Sequence, residues 1–307
     1  MSALKLHGIV PPVVTPLTPD YQVDEVSLRK VIRHLIDNGV HGLFLLGSTS
    51  EVVFLNAKQR ADAIRIALDE ANGAVPAVCG VMDPTTDRVI ENARQAKELG
   101  VDGLVVTSQF YPRTSQNETI VHFSMIREAV DLPIVAYDIP VCTQLKLSRE
   151  TLMSMYEQKL ICGLKDSSGD DGNMRMVMKD FEDKPDFSIL TGSETTVDYA
   201  LLGGAHGNVP GLGNVDPAGY VRLYEAAQRG DWDAARAEQE RLIRVFQIVF
   251  QGVPHTSPNA SGVGGFKTAM HLMGLISHRH MSRPNQLIPD AGVEKIRQIL
   301  TETGLLH

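Results

Sequence analysis

The stretch "PIVAYDIP" (133–140) begins with an apolar run that leads into a tyrosine and an aspartate, Tyr137 and Asp138. A strand with water on one face alternates apolar and polar residues, whereas a parallel strand buried on both faces does not. Similar short runs recur along the first two thirds of the chain: 8–17, 42–47, 77–81, 103–108, 161–166, 187–192 and 207–211. Their composition predicts buried parallel strands.

Helical patterns separate these runs. The segment 23–40 carries apolar residues at a spacing of three and four, and 56–72 and 85–101 repeat the pattern. Eight strands that alternate with helices over about 215 residues predict an α/β protein with a (β/α)8 TIM barrel. A doubly wound sheet is the alternative, but it usually has a glycine-rich loop after its first strand, and "TPLTPDYQ" (15–22) contains no glycine.

The last third of the chain lacks strand signals and has helical patterns instead. We therefore expect a barrel over 1–225 and a C-terminal helical extension over 226–307.

Composition narrows the classes of function. The 307 residues carry a net charge of −8 and no basic cluster with interleaved aromatic residues, which argues against a nucleic-acid partner. No window is long and apolar enough for a membrane span, and the first ten residues lack the apolar core of a secretory signal. Three widely spaced cysteines are typical of a reducing compartment, so we expect a cytoplasmic protein. No histidine pattern predicts a metal site, and His278 and His280 are interpreted as surface residues.

The predicted strand ends carry the chemistry. Active sites of such barrels lie where the strands end, so Lys165, Tyr137 and the turn "GSTSE" (47–51) would share one mouth. A lysine in a low-dielectric cavity is more easily neutral and can form a Schiff base with a ketone. A nearby tyrosine can transfer protons, and backbone N–H groups of the turn can bind a carboxylate. Taken singly, the lysine could be a solvated rim residue, the tyrosine a core residue and the turn a helix cap. Their common position favours an aldolase or lyase for a 2-oxo acid.

Three motifs in order make the chain resemble the dihydrodipicolinate synthase/N-acetylneuraminate lyase family of Schiff-base aldolases. They are "GSTSE" (47–51), "YDIP" (137–140) and "GLKDSSGD" (163–170). The resemblance implies a homotetramer without cofactor or metal and a small 2-oxo acid substrate such as pyruvate. It implies roles for these residues: Lys165 as the Schiff-base lysine, Tyr137 as the proton-transferring tyrosine, Gly47, Ser48 and Thr49 as the carboxylate turn, and Tyr111 as a residue that reaches a neighbouring subunit's site.

Departures from the family pattern bear on specificity. Ser50 and Asp138 replace a usual glycine and asparagine, and Cys142 stands where the lysine-biosynthesis synthases carry an arginine for a second carboxylate. Glu194 and Pro210 occupy positions where sialic acid and sugar-acid lyases contact their substrates. We expect a pyruvate-dependent lyase or aldolase acting on a 2-oxo-3-deoxy sugar acid or a similar pyruvate adduct. The alternatives are 4-hydroxy-tetrahydrodipicolinate synthase, N-acetylneuraminate lyase and a non-catalytic 2-oxo-acid-binding relative.

Overall fold

Eight parallel strands form the centre of the protein, whose computed structural model describes residues 4–306. From β2 to β8 each strand pairs with the next along the chain, and β1 pairs with β8. Backbone hydrogen bonds from Val13 N to Phe44 O (2.9 Å) and from Phe44 N to Pro11 O (3.0 Å) join the segment that follows β1 to β2 and close the barrel. The strands are β1 (Gly8–Ile9), β2 (Leu43–Leu45), β3 (Ala77–Gly80), β4 (Gly103–Thr107), β5 (Ile134–Asp138), β6 (Gly163–Asp166), β7 (Ser188–Thr191) and β8 (Gly207–Asn208). The predicted TIM barrel is confirmed.

At least one helix follows every strand. The helices are α1 (Glu25–Asp37), α2 (Ala57–Ala71), α3 (Thr86–Leu99), α4 (Gln116–Ala129), α5 (Pro140–Thr143), α6 (Arg149–Glu157), α7 (Asp171–Asp180), α8 (Val197–Gly203), α9 (Pro217–Gln228), α10 (Trp232–Phe246), α11 (Pro258–Leu272) and α12 (Asp290–Glu302). The patterns at 23–40, 56–72 and 85–101 correspond to α1, α2 and α3. Side-chain caps fix several helix starts, such as the reciprocal hydrogen bonds between Asn56 and Gln59 at the start of α2.

Every residue of the eight strands is buried, because the barrel interior covers one face of each strand and the helices cover the other. The strands approach closely where β1 meets β8. A Cβ atom on Gly207 would lie 2.1 Å from the carbonyl oxygen of Gly8, so only glycine allows this pairing.

The C-terminal helices are in contact with the barrel. α10 packs on α9, and α11 returns to the end of the barrel that carries the strand C-termini, where Asn259 lines a cavity. The predicted boundary between 225 and 226 falls within α9 and stays a prediction. Residues 1–3 and 307 of the two predicted segments lie outside the described residues. In the part of the chain that is described, no helix is both long enough and apolar enough to cross a membrane.

Candidate active site

Lys165 lies in the mouth of the barrel on β6. It pairs in register with Tyr137 on β5, and the two residues are only 5% and 3% exposed. The Lys165 Nζ atom lies 4.0 Å from the ring centroid of Tyr137 and 4.9 Å from that of Phe44, which comes from β2. Contact with side chains of two other strands shows that the lysine points into the barrel, as predicted. The two rings thus lie against the amine.

The hydroxyl group of Tyr137 extends the site toward β2. Its oxygen lies 3.2 Å from Oγ of Ser48, the second residue of the turn that follows β2. The phenol and the hydroxyl therefore form one hydrogen-bonded pair next to the amine. Such a pair can carry a proton between the mouth and a substrate held at Lys165.

The turn over residues 47–51 offers donors to an anion. Its own hydrogen bonds run from Ser50 N to Gly47 O (3.1 Å) and from Glu51 N to Ser48 O (3.0 Å). Within residues 4–306, the N–H groups of Ser48 and Thr49 have no protein acceptor. Two adjacent free N–H groups and the Ser48 hydroxyl can bind a carboxylate. The N–H of Gly47 does not take part, because it donates to Oγ of Ser50 at 3.0 Å.

Ser50 is compatible with this turn. Its side chain is buried, accepts the Gly47 N–H and donates to the carbonyl oxygen of Val13. The serine that replaces the usual glycine therefore ties the turn to the segment after β1, and it does not block the free N–H groups.

A buried ion pair supports the turn from below. Glu51 has a left-handed backbone (φ 60°), and its carboxylate bonds to Nζ of Lys267 on α11 and to the N–H of Ser282 (2.7 Å). Lys267 is 0% exposed and also donates to the carbonyl oxygen of His280 at 2.9 Å. Burial lowers the pKa of Lys267, although the Glu51 carboxylate opposes the shift. The sequence analysis did not identify Lys267. The feature that could have indicated it is its position within the largely apolar helical segment "GVGGFKTAMHL" (262–272).

The carboxylate of Glu194 has partners within the chain. It accepts hydrogen bonds from the N–H groups of Gly211 (3.0 Å) and Leu212 (2.8 Å) and from the hydroxyl of Tyr220 (3.3 Å). Burial raises its pKa to about 7, and these three donors oppose that shift. Pro210 immediately precedes the 3-10 turn Gly211–Asn214 that Glu194 holds. The structure thus places Glu194 beside the turn that follows Pro210, with both Glu194 oxygens occupied by donors of the chain.

A cavity of about 310 Å³ opens beside Ser48 and Tyr137. Its lining contains no charged side chain. The polar lining groups are neutral, and Ile139 and Cys142 form the wall nearest to the "YDIP" motif. The lining residues are Ser48, Val52, Val53, Phe54, Met82, Thr107, Phe110, Tyr137, Ile139, Cys142, Thr143 and Asn259.

Tyr111 lies outside this cavity. It follows β4 in a loop, is 92% exposed and has a left-handed backbone with φ 73°. For a bulky residue both features are unusual, and the ring extends away from its own barrel.

Among the described residues, no group of three or more His, Cys, Asp or Glu side chains is arranged to hold a metal ion.

A family model for the dihydrodipicolinate synthetase family matches residues 5–303. The chain belongs to this family. It is 35% identical to a Halobacterium salinarum protein named "uncharacterized DapA-like lyase", over 88% of this chain and 86% of that one. It is 32% identical to a Methanopyrus kandleri protein named 4-hydroxy-tetrahydrodipicolinate synthase, over 98% of each chain. The crystal structure of YagE, a prophage protein of this family from E. coli K12 in complex with pyruvate, superposes with a TM-score of 0.91 at 28% identity and covers 98% of this chain and 99% of that one.

Membership of the dihydrodipicolinate synthetase family confirms the predicted family and the predicted enzyme class. The protein is a Schiff-base lyase or aldolase of the dihydrodipicolinate synthetase family. The individual roles predicted for Lys165, Tyr137, Ser48, Thr49 and Tyr111 stay predictions.

Proposed function

We propose that Lys165 forms the Schiff base and that the enzyme cleaves or forms the C3–C4 bond of a 4-hydroxy-2-oxo acid. The observation that carries this proposal is the enclosed Lys165 Nζ, 4.0 Å from the ring centroid of Tyr137, whose hydroxyl is bonded to Ser48. The substrate carboxylate lies at the free N–H groups of Ser48 and Thr49.

The neutral amine of Lys165 attacks the C2 carbonyl, and Tyr137 gives its proton to the departing hydroxyl group, so that water leaves and a protonated imine and a tyrosinate remain. The tyrosinate takes the proton of the C4 hydroxyl, and the C3–C4 bond breaks as its electron pair moves into the imine. An aldehyde and an enamine result. A proton then returns to C3, and water hydrolyses the imine to release pyruvate and the free lysine. Aldol addition is the same sequence in reverse.

The neutral cavity supports an aldehyde half that carries no charge. A second carboxylate buried against Ile139 and Cys142 would lack a cation, whereas hydroxyl groups can reach Thr107, Thr143 and Asn259. We therefore propose a 2-oxo-3-deoxy sugar acid, or a similar pyruvate adduct, whose only carboxylate belongs to the pyruvate half. This does not favour the condensation of pyruvate with aspartate semialdehyde, whose aldehyde half carries a carboxylate, whereas N-acetylneuraminate, a monocarboxylate, stays an alternative.

A substrate panel tests this assignment. Pyruvate release is measured from 2-oxo-3-deoxy sugar acids with one carboxylate and with two and from N-acetylneuraminate, and pyruvate consumption is measured with aspartate semialdehyde. We expect the highest kcat/KM for a monocarboxylate. Preference for a substrate with a second carboxylate would contradict the specificity, and the absence of turnover with every compound would favour a non-catalytic 2-oxo-acid-binding role.

We also propose that Tyr111 acts in the site of a neighbouring subunit within a homotetramer. Its exposed, strained position supports this role. Mixed oligomers of Lys165→Ala and Tyr111→Phe chains test it, because a site that combines Lys165 of one chain with Tyr111 of the other regains activity only if Tyr111 acts between chains. No gain on mixing, or a fully active monomer in sedimentation, would contradict it.

The cytoplasmic location and the lack of a nucleic-acid partner stay predictions from the sequence.

A further inference from the structure

Two buried carboxylates lie directly behind the lysine and the tyrosine of the site. Asp138 follows Tyr137 on β5, Asp166 follows Lys165 on β6, and the two aspartates are partners in register. Because successive side chains of a strand point to opposite faces, the aspartates lie on the outer face of the barrel when Tyr137 and Lys165 point inward. Their side chains are 0% and 3% exposed. Two neighbouring carboxylates in such a place repel each other unless a cation joins them.

Lys146 is that cation. Its Nζ atom bonds to Oδ2 of Asp138 and lies 3.2 Å from Oδ2 of Asp166. The N–H groups of Leu147 (3.2 Å) and Ser168 (2.8 Å) donate to the two remaining oxygens, so each of the four carboxylate oxygens has a donor. Burial raises the pKa of Asp138, and the two carboxylates raise the pKa of Lys146 despite its partial burial.

This cluster lies where the regular pairing of the two strands stops. The ladder between β5 and β6 ends at Asp138 and Asp166, one residue past Tyr137 and Lys165. Lys146 itself belongs to the loop that follows α5, and α5 supplies Cys142 and Thr143 to the wall of the cavity. One ammonium group therefore joins both strand ends to the loop that borders the mouth.

We propose that Lys146 is a positioning residue that neutralises Asp138 and Asp166 and so holds Tyr137 and Lys165 in register. The inference rests on the proposed Schiff-base function of Lys165. It also accounts for Asp138, which replaces the usual asparagine of the motif, because the second carboxylate is compatible with the fold only beside this lysine.

Five variants test the inference: Lys146→Met, Lys146→Arg, Asp138→Asn, the double variant Asp138→Asn/Lys146→Met, and Lys179→Met as the matched surface control. Lys179 also pairs with a carboxylate, that of Glu182, but on an exposed helix end. The measurements are kcat and KM for pyruvate release, at a temperature where all variants are folded, and the urea midpoint of unfolding.

We expect Lys146→Met to lower kcat by about 10- to 100-fold and to change KM by less than about 3-fold, since the misplaced groups act on bound substrate. Lys146→Arg and Asp138→Asn should stay within about 3-fold of wild type, because each keeps a donor beside a carboxylate. The double variant should regain most of the kcat and urea midpoint lost in Lys146→Met, because an asparagine amide can donate to Asp166 directly.

A Lys146→Met variant with the kcat and KM of Lys179→Met would overturn the inference, and so would a double variant as slow as Lys146→Met. If Lys146→Met does not fold, the inference is judged by the kcat of the double variant and of Lys146→Arg, both of which should be close to that of wild type. The urea midpoints report the charge coupling without any substrate. The two failures are therefore distinct. If the proposed function is wrong, wild type shows no turnover. If Lys146 does not neutralise the two aspartates, the double variant does not regain the urea midpoint lost in Lys146→Met.

Discussion

The hydroxyl of Tyr137 and the hydroxyl of Ser48 lie 3.2 Å apart although 89 residues separate them along the chain. Tyr137 belongs to β5, and Ser48 to the turn after β2. The turn thus has two tasks, since its N–H groups can bind a carboxylate while its hydroxyl orients the phenol above Lys165. The fixed geometry of the barrel mouth thus holds the phenol where it can transfer a proton to or from the bound substrate.

Replacing Tyr137 with phenylalanine removes the phenol and leaves the ring over Lys165. We expect kcat to fall by about 10²- to 10⁴-fold while pyruvate still binds, because proton transfer is lost and the carboxylate turn is intact. Steady-state kinetics and pyruvate titration measure the two effects. Tyr156→Phe is the control, since its hydroxyl bonds to Asp186 away from the mouth. Equal kcat in the two variants would remove Tyr137 from the mechanism.

A cation at position 142 should change the preferred aldehyde. Cys142→Arg places a guanidinium in the neutral wall, and a charge-assisted pair with a substrate carboxylate contributes on the order of 2–3 kcal/mol, or roughly 30- to 150-fold. We expect kcat/KM for a dicarboxylate substrate to rise relative to that for a monocarboxylate. Val141→Arg, one residue away and outside the cavity lining, should leave the ratio unchanged. Equal ratios of the two kcat/KM values in Cys142→Arg and Val141→Arg would contradict the proposed specificity.

Removing one partner of the buried pair Lys267–Glu51 should destabilise the protein strongly, because the other partner is left as an unpaired buried charge. Lys267→Met is expected to lower the free energy of unfolding by about 3–5 kcal/mol, and Lys267→Met/Glu51→Gln by less, because the double variant leaves no unpaired buried charge. Urea unfolding measures both. Lys58→Met, which breaks an exposed pair with Asp62, should cost less than about 1 kcal/mol. A Lys267→Met variant as stable as Lys58→Met would show that the pair is dispensable.

Glu194 should make stability depend on pH. Burial raises its pKa from 4.5 to about 7, so the folded state binds a proton that the unfolded chain releases. Its stabilising contribution is complete below pH 4.5 and is lost as pH rises through about 7. Between about pH 5 and pH 8, the unfolding free energy of wild type should fall by about 1–3 kcal/mol relative to Glu194→Gln. Glu182→Gln, at an exposed carboxylate, is the control. Parallel pH profiles of wild type and Glu194→Gln would contradict the assignment.

The barrel was predictable because its strands are buried on both faces and its helices are amphipathic. Short, wholly apolar runs such as "GLFLLG" (42–47) are typical of parallel strands that are buried on both faces. The site residues Lys165 and Tyr137 were also predictable, since a lysine and a tyrosine that end neighbouring parallel strands must meet at one mouth.

The supporting ion pairs were not predictable from one sequence. Lys267 and Glu51 are 216 residues apart, and only the return of α11 to the barrel mouth brings them together. Lys146 is similar, because nothing in "QLKLSRE" (144–150) shows that its ammonium meets Asp138 and Asp166. Sequence position identifies a charge, whereas its partner depends on packing between distant elements.

Trapping of the imine with borohydride tests whether Lys165 forms the Schiff base. Wild type is incubated with pyruvate and borohydride, digested and examined by mass spectrometry, with Lys165→Ala and Lys165→Arg treated in parallel. We expect one reduced pyruvate adduct per chain, on Lys165, and none in either variant, because alanine has no amine and a guanidinium stays charged. An adduct on another lysine, or none in wild type, would contradict it.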